Sequence, residues 1–558
     1  LFLDRATSVD PGFVLGPQNI APIAEICRRL DGIPLAIELA AARVAVMSPE
    51  DIATRLGDRF RLLAGGRRTA VPRQQTLHAL IDWSWDLLTD DDRQLLRRLS
   101  IFAGGWTAAA AARVVGDGLE PLDEVETVDR LARLVDRSLV IVDRGPSTRF
   151  RMLETIRQYA REKLIAAGEV EALADRHLAT YAELAVRAEP ELRGPGMVDW
   201  LDRMDAEAEN LGAALEWALE ADPWAAVRMA ASLLAWWSVR VASEDSDARL
   251  VAAIAIARAR TIGQPEAPPE DQALAARLMG EAARIWAMGG RAGIALEWAQ
   301  DARSLAIASG DDAARLAAMT GLTIASVFTG SSDVRRLFEE AIALSAATES
   351  WSTLAMAAGF AGASLGQLDP ALGERLVQQA EEAARRSGNP YNVGSVAMAH
   401  GRLLGRSGRT DGAVERFNVA IARFAEIGDE RLGLAARSDL GHALRIGGRL
   451  DEAEATYRET ILGWVHLGHR GAVANQLESF AFAAIERGQL ERAARLLGAA
   501  EVIRETANAA MAFDEEPELQ RAVERLRSTL DAGTFAAAWA DGRSMTQTDA
   551  VALATAAS

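Results

Sequence analysis

Gln74-Gln75-Thr76-Leu77-His78-Ala79-Leu80-Ile81-Asp82-Trp83-Ser84-Trp85 opens the stretch whose reading decides the fold, and Phe150-Arg151-Met152-Leu153-Glu154-Thr155-Ile156-Arg157-Gln158-Tyr159-Ala160 closes it. Leu77, Leu80, Ile81 and Leu88 recur at helical spacing, with Trp83 and Trp85 adding bulk, so a helix is expected over 76–88. Thr89-Asp90-Asp91-Asp92 has the form of a capping box: the threonine oxygen faces the orphan amides of the next turn and Asp92 reaches back. The helix it starts runs to about Phe102. After Gly104-Gly105 a short alanine-rich helix follows from Thr107, and 125–135 places Val125, Val128, Leu131, Leu134 and Val135 on one helical face. Residues 138–142 and 149–152 are β-prone runs separated by the turn residues Arg144-Gly145-Pro146-Ser147, and a long helix begins near Glu154. Helices, then a small hairpin, then a helix is the order of a winged helix.

The third helix of a winged helix is the one that enters a DNA major groove. Here it carries Glu124, Glu126, Asp129 and Asp136 against Arg130, Arg133 and Arg137, which offers no clear basic face for phosphate neutralisation. No direct DNA binding is expected from it; docking or switching within the protein is.

The 558 residues exceed one core and imply three or more domains. Apolar residues make up 49% and aromatics only 6%, with alanine abundant, which favours packed helices: the expected class is mostly α. A net charge of −18 argues against non-specific attraction to nucleic acid or anionic membranes. The most apolar segment, 229–239, is flanked by Arg228 and Arg240 and is about half a membrane span, so no membrane partner is expected. The single cysteine, Cys27, excludes an internal disulfide, and Asp4, Arg5 and Asp10 interrupt any early apolar run, so a secretory leader is not expected; a cytoplasmic location is the simplest expectation. The chain opens mid-pattern at Leu1, as expected of a fragment, of a gene remnant or of a start codon read literally as Leu.

Upstream, 20–30 is an apolar-periodic helix leading into Asp31-Gly32-Ile33-Pro34-Leu35-Ala36, with Pro34 placed for the first turn of a new helix, and Ser48-Pro49-Glu50-Asp51 caps another that ends near Arg59. Gly32-Ile33-Pro34-Leu35-Ala36 resembles the Gly-Leu-Pro-Leu-Ala motif of NB-ARC, or STAND-class, nucleotide-switch ATPases. Arg73-Gln74-Gln75-Thr76-Leu77, the segment 82–88, Leu99-Ser100-Ile101-Phe102-Ala103-Gly104-Gly105 and the segment 153–160 are similar to the winged-helix part of large actinobacterial regulators of the AfsR and LuxR-type ATP-binding group. The resemblance covers roughly 1–550. It implies that Pro34, beside Gly32, lies against the adenine of a bound nucleotide. It also places Leu153 where the family has the histidine of its Met-His-Asp motif, and leucine donates no hydrogen bond to phosphate. A P-loop needs Gly-x-x-x-x-Gly-Lys-Ser/Thr, yet the only lysine is Lys163, in Arg161-Glu162-Lys163-Leu164. The family places that loop N-terminal to this chain, so ATP or ADP is expected only with a missing P-loop segment, and enzymatic activity is not expected.

From 170 to about 263 the pattern stays helical, with Trp200, Trp217, Trp224, Trp236 and Trp237 along it as core aromatics, and Gln264-Pro265-Glu266-Ala267-Pro268-Pro269 breaks it. Beyond lies a repeat. Gly290-Arg291, Gly330-Ser331, Gly366-Gln367, Gly408-Arg409, Gly448-Arg449 and Gly488-Gln489 open similar phrases about forty residues apart, a period of paired-helix solenoids. The glycine ends one helix and the acidic residue after it, as in Gly448-Arg449-Leu450-Asp451, caps the next. Stacked units form a superhelix whose concave surface suits a protein, a peptide or a small effector. The tail 534–550, with Phe535, Trp539 and Gly542-Arg543-Ser544-Met545, resembles the segment before a C-terminal helix-turn-helix in some relatives.

Two patterns suggest chemistry. Gly362-Ala363-Ser364-Leu365-Gly366 matches the nucleophile elbow, which would make Ser364 a hydrolase serine, but an elbow needs a strand before it and this one merges into a repeat turn. His466 and His469 are three apart on a helix, without a third ligand at metal spacing; histidines at a helix C-terminus are the plainer account.

The expected organisation is a helical remnant of a nucleotide-switch domain (1–70), a winged helix with a β-hairpin wing (71–167), connecting helices (168–264), an α-solenoid of tetratricopeptide-like hairpins (265–530) and a tail (531–558). The expected function is regulatory: a protein-interaction module that senses a partner or effector through the repeats, its winged helix docking on the switch domain in autoinhibition. The alternative is part of an ATP-dependent DNA-binding transcriptional regulator whose ATPase core or DNA-reading domain lies outside the chain.

Overall fold

The computed structural model describes residues 1–558 except 11, 31, 33–36, 38–39, 42–43, 45–46, 56–80, 82–84, 87, 117–121, 138, 146, 241–243, 508, 510–515 and 557–558. It is a mostly α protein with one two-stranded sheet among the described residues. The chain forms two compact units, Leu1–Ala185 with Asp205–Asp222, and Val186–Met204 with Pro223–Ser558.

The first unit opens with helices Phe2–Val9, Pro17–Arg29 and Pro49–Arg55, the last capped by Ser48 Oγ, which accepts from the Asp51 amide. The helix expected over 76–88 lies mostly outside the described residues. Asp90–Leu99, Ala108–Val115 and Glu124–Asp136 follow, and each begins where a short oxygen-bearing side chain satisfies a free amide: Thr89 accepts from Asp92, Thr107 from Ala110, and Asp123 from Glu126. Asp92 does not reach back as a capping box requires. It is sealed from solvent and bound by Arg133 of the third helix at 2.9 Å, because an anion so placed can join two helices once a guanidinium neutralises it.

β1 (Ile141–Arg144) and β2 (Thr148–Arg151) pair antiparallel, Val142 opposite Phe150; β1 starts later than its β-prone run and β2 one residue earlier. Trp106 adds one bridge, exchanging two 2.8 Å backbone bonds with Phe150. Helix Glu154–Ala166 closes the domain over a core of Leu96, Leu99, Phe102, Trp106, Leu131, Leu134 and Tyr159. Behind the wing a polar clamp is buried. Asn210 Oδ1 accepts from the Ala103 amide at 3.0 Å while its Nδ2 donates to the Gly105 carbonyl at 2.8 Å, and Glu207 accepts from Tyr181 and from Arg149 of β2.

In the second unit the helical hairpins repeat with two kinds of turn. Gly290, Gly330, Gly408, Gly448 and Gly488 have left-handed backbone and end helices, as expected. A second series, Gly310, Gly388, Gly428 and Gly468, lies halfway between, so most helices end on a residue that avoids a Cβ clash by having none. Gly366 breaks the pattern: its φ is −63°, and its absent side chain serves close approach, since a Cβ on the facing Gly373 would lie 2.5 Å from the Gly366 Cα.

The caps also differ from expectation. Asp369, after Gly366-Gln367, caps its helix as expected, accepting from the Leu372 amide at 3.0 Å, but Asp411 and Asp451 sit inside their helices and cap nothing; the second series caps through Asp311, Asn389, Asp429 and His469. The acids after the Gly-Arg turns make a ladder instead, Arg449 reaching back to Asp411 at 3.3 Å and Arg487 to Asp451, with Arg409 reaching Glu374 at 3.1 Å. At the C-terminal end, Ala538, Ala550 and Ala554 enter the core of the last hairpin with Phe535 and Trp539 packed against it, and Arg492 donates to the carbonyls of Leu553 and Ala554.

Candidate functional site

Two surfaces are candidates, one in each unit. In the winged helix, the third helix turns Thr127, Leu131 and Leu134 inward, and Val125 and Val128 are exposed, contrary to the single apolar face expected. Thr127 tolerates burial because its hydroxyl donates to the Asp123 carbonyl at 2.8 Å. The outward face therefore shows Glu124, Val125, Glu126, Val128 and Asp129. Of its cations, Arg130 is bound to Glu126 and Arg133 to Asp92. Arg149 of the wing is engaged by Glu207 and by the Gly105 and Ala206 carbonyls.

In the second unit a cleft of about 700 Å³ is lined by Glu189, Arg193, Arg277, Glu281, Trp351 and Arg386 among others. Glu189 accepts from Arg277 at 2.6 Å and from Ser232 at 3.2 Å; Glu281 accepts from Arg193 at 3.2 Å and Arg284 at 3.3 Å. Burial pushes the Glu281 carboxyl up, but Arg193 and Arg284 outweigh it and hold it at about 2. The Arg386 guanidinium stacks 4.5 Å from the Trp351 ring centre. Two ties link segments far apart in sequence in this unit: Asn389 Nδ2 donates to the Leu192 carbonyl at 3.0 Å, and Arg240 to the Ile427 carbonyl at 2.7 Å.

The residues singled out from sequence are scattered. Gly32 has left-handed backbone just past helix Pro17–Arg29, and its amide donates to the Cys27 carbonyl, which terminates that helix. Pro34 lies outside the described residues. The adenine contact that the resemblance implies for Pro34 beside Gly32 therefore lies outside the described residues. Leu153 is the N-cap residue of Glu154–Ala166, and Lys163 lies over the rings of Tyr159 and Trp85 at 4.8 and 5.7 Å.

Ser364 lies inside helix Trp351–Leu365, so the strand an elbow requires is missing from its N-terminal side; its flanking Gly362 and Gly366 serve the approach to Gly373. His466 ends a helix, as expected, whereas His469 starts the next, its Nδ1 accepting from the Ala472 amide at 3.2 Å. Among the described residues no group of three or more His, Cys, Asp or Glu is disposed to hold a metal. None of the described helices is long and apolar enough to cross a membrane. Sequence reasoning missed the cleft and the Asn210–Glu207 clamp. Gly310-Asp311, Gly388-Asn389, Gly428-Asp429 and Gly468-His469 were a legible signal for the second turn series.

A Mycobacterium tuberculosis H37Rv protein named among the HTH-type transcriptional regulators is 49% identical over 242 residues, which is 42% of this chain and 27% of that protein. An uncharacterized protein of the same strain is 46% identical over 179 residues, 32% of this chain and 45% of that protein. The chain thus spans less than half the length of these relatives. The crystal structure of a Signal Transduction ATPase with Numerous Domains (STAND) protein with a tetratricopeptide repeat sensor, from Pyrococcus horikoshii, aligns with 89% of this chain and 74% of its own at 15% identity, with a TM-score of 0.43. The winged helix-turn-helix domain family matches residues 88–165. With three helices, a hairpin and a closing helix in place there, residues 88–165 belong to that family.

Proposed function

We propose that this chain is a regulatory signal-transduction module of a STAND-type transcriptional regulator. Its winged helix makes contacts with protein and does not read DNA, and its helical hairpins carry the surface that senses a partner or effector. The module is not an enzyme in this reading; binding at the hairpins releases an autoinhibited switch.

The third helix carries the proposal. A DNA-reading helix needs arginine or lysine free to neutralise phosphates and reach base edges. This one presents Glu124, Glu126 and Asp129 around exposed Val125 and Val128, with Arg130 and Arg133 tied to carboxylates. Two apolar side chains inside an acidic rim suit a protein surface with a basic rim. The name of the M. tuberculosis relative supports a regulatory setting.

The test is fluorescence anisotropy of labelled random-sequence duplexes at about 50 mM and about 200 mM salt. No saturable signal is expected at either. Saturation at low salt that disappears in the Arg133→Ala/Arg137→Ala protein would overturn the reading.

A further inference from the structure

We propose that the cleft of the second unit binds a small ligand bearing an oxyanion, a carboxylate or a phosphate. This rests on the hairpins being the sensing surface. The cleft, about 700 Å³, has the volume of a small-molecule site, typically about 300–1,000 Å³.

Its lining is balanced where the whole protein carries −18: Arg193, Arg277 and Arg386 stand with Glu189, Glu281 and Asp312, and Arg284 binds Glu281 from outside the lining. Asp312 at the rim is matched by Arg315. The guanidiniums keep donors to spare: Arg277 has five N–H groups and one partner, Glu189. Arg386 uses only its Nε, on Glu382, and its plane is braced by Trp351. Donors thus exceed acceptors, which fits the planar, multidentate way arginine holds carboxylate or phosphate.

The backbone points to the same place independently. Among the described residues Glu349 is the one non-glycine with left-handed backbone (φ 51°), in a turn whose flanking Thr348 and Ser350 line the cleft. The other left-handed turns of the array have glycine. Strain of this kind persists where the surroundings hold it, and it collects at binding sites.

The test is calorimetric titration of the whole chain with inorganic pyrophosphate and, separately, with citrate, in low salt. Saturable binding of at least one, with a Kd below about 1 mM, is expected. It should weaken about tenfold or more in Arg277→Gln and Arg386→Gln and stay unchanged in Arg521→Gln, which alters an exposed arginine outside the cleft. Pyrophosphate alone would identify a phosphorylated effector, citrate alone a carboxylate; either supports the site. No heat with either probe, or equal binding in Arg277→Gln and Arg521→Gln, overturns it. Should Arg277→Gln fail to fold, Arg386→Gln decides, since that side chain is 52% exposed. Failure here with the duplexes still unbound leaves the docking role of the winged helix standing, and the converse result leaves the cleft standing.

Discussion

From Gly388 to Gly488 six left-handed glycines follow one another every twenty residues, and the five helices between them are each 17 residues long. From Gly330 to Gly388 the same chain makes helices of 14, 15 and 18 residues, puts glutamate at the first left-handed turn and uses no left-handed glycine at the second. Identical units in the first stretch bury identical stripes, and each presents its neighbour with the surface it received. The second stretch loses phase, so its helices cannot repeat that packing; the hairpin closes by backbone approach at Gly366 and Gly373, and at its other end Trp351, Ser352, Arg386 and Ser387 line the cleft. Regularity supplies cohesion, and its interruption leaves room for a ligand.

The comparison predicts different failures on the two sides. The largest effect belongs to Gly373→Val: with the Gly366 Cα 2.5 Å from the new Cβ, overpacking should cost about 3 kcal/mol in denaturant unfolding. A loss no greater than that of Gly448→Ala would remove the distinction between the stretches.

Acid comes next. Glu281 is held at about 2 against an ordinary 4.5, so its contribution is complete above pH 4.5 and disappears as pH falls towards 2; about 2 kcal/mol should go from helix Pro269–Met288. In the regular stretch burial raises the Asp429 carboxyl, the opposite sign, so acid relieves a penalty there. Hydrogen exchange between pH 5 and pH 3, corrected for intrinsic rates, should show protection falling in the first region and not at helix Glu430–Ile446. Equal losses would break the contrast.

Gly448→Ala should cost about 1 kcal/mol in thermal unfolding, through backbone conformation alone, because φ is 75° and its Cβ would meet nothing within 4 Å. Glu349→Gly is the smallest change and has the reverse sign: the left-handed turn is relieved, and stability should rise by about 0.5 kcal/mol. A destabilised Glu349→Gly protein would mean that the glutamate side chain holds the turn.

The winged helix was legible because its caps, turn and apolar spacing are local: Thr89, Thr107 and Gly145 do what their types do anywhere. The forty-residue period was legible through its glycines for the same reason. Its half-period was written in glycines alone and so was missed, because the residues after them, Asp311, Asn389, Asp429 and His469, share a capping function but not a letter. Val125 and Val128 misled because a helical stripe wide enough for five apolar residues met a neighbour wide enough for three. Nothing local announces the cleft: Arg193, Arg277, Trp351 and Arg386 come from one turn and three separate helices, and each could serve an ordinary ion pair or core contact where it stands.

Helical hairpin arrays are ordinarily assembled from contacts between near neighbours in sequence, and any unit can begin the process. The bond from Asn389 to the Leu192 carbonyl spans 197 residues, and that from Arg240 to the Ile427 carbonyl spans 187. Such contacts form only after the hairpins between them exist, so they are the last stitches of folding and the first that a pull on either end would test. An array without them would fray one unit at a time; with them, the segment from 192 to 427 should open as a loop released at its two fastenings. Most of the cleft's lining lies inside that loop, so the two bonds to backbone carbonyls join the ion pairs Arg193–Glu281 and Arg277–Glu189 in setting how long it lasts.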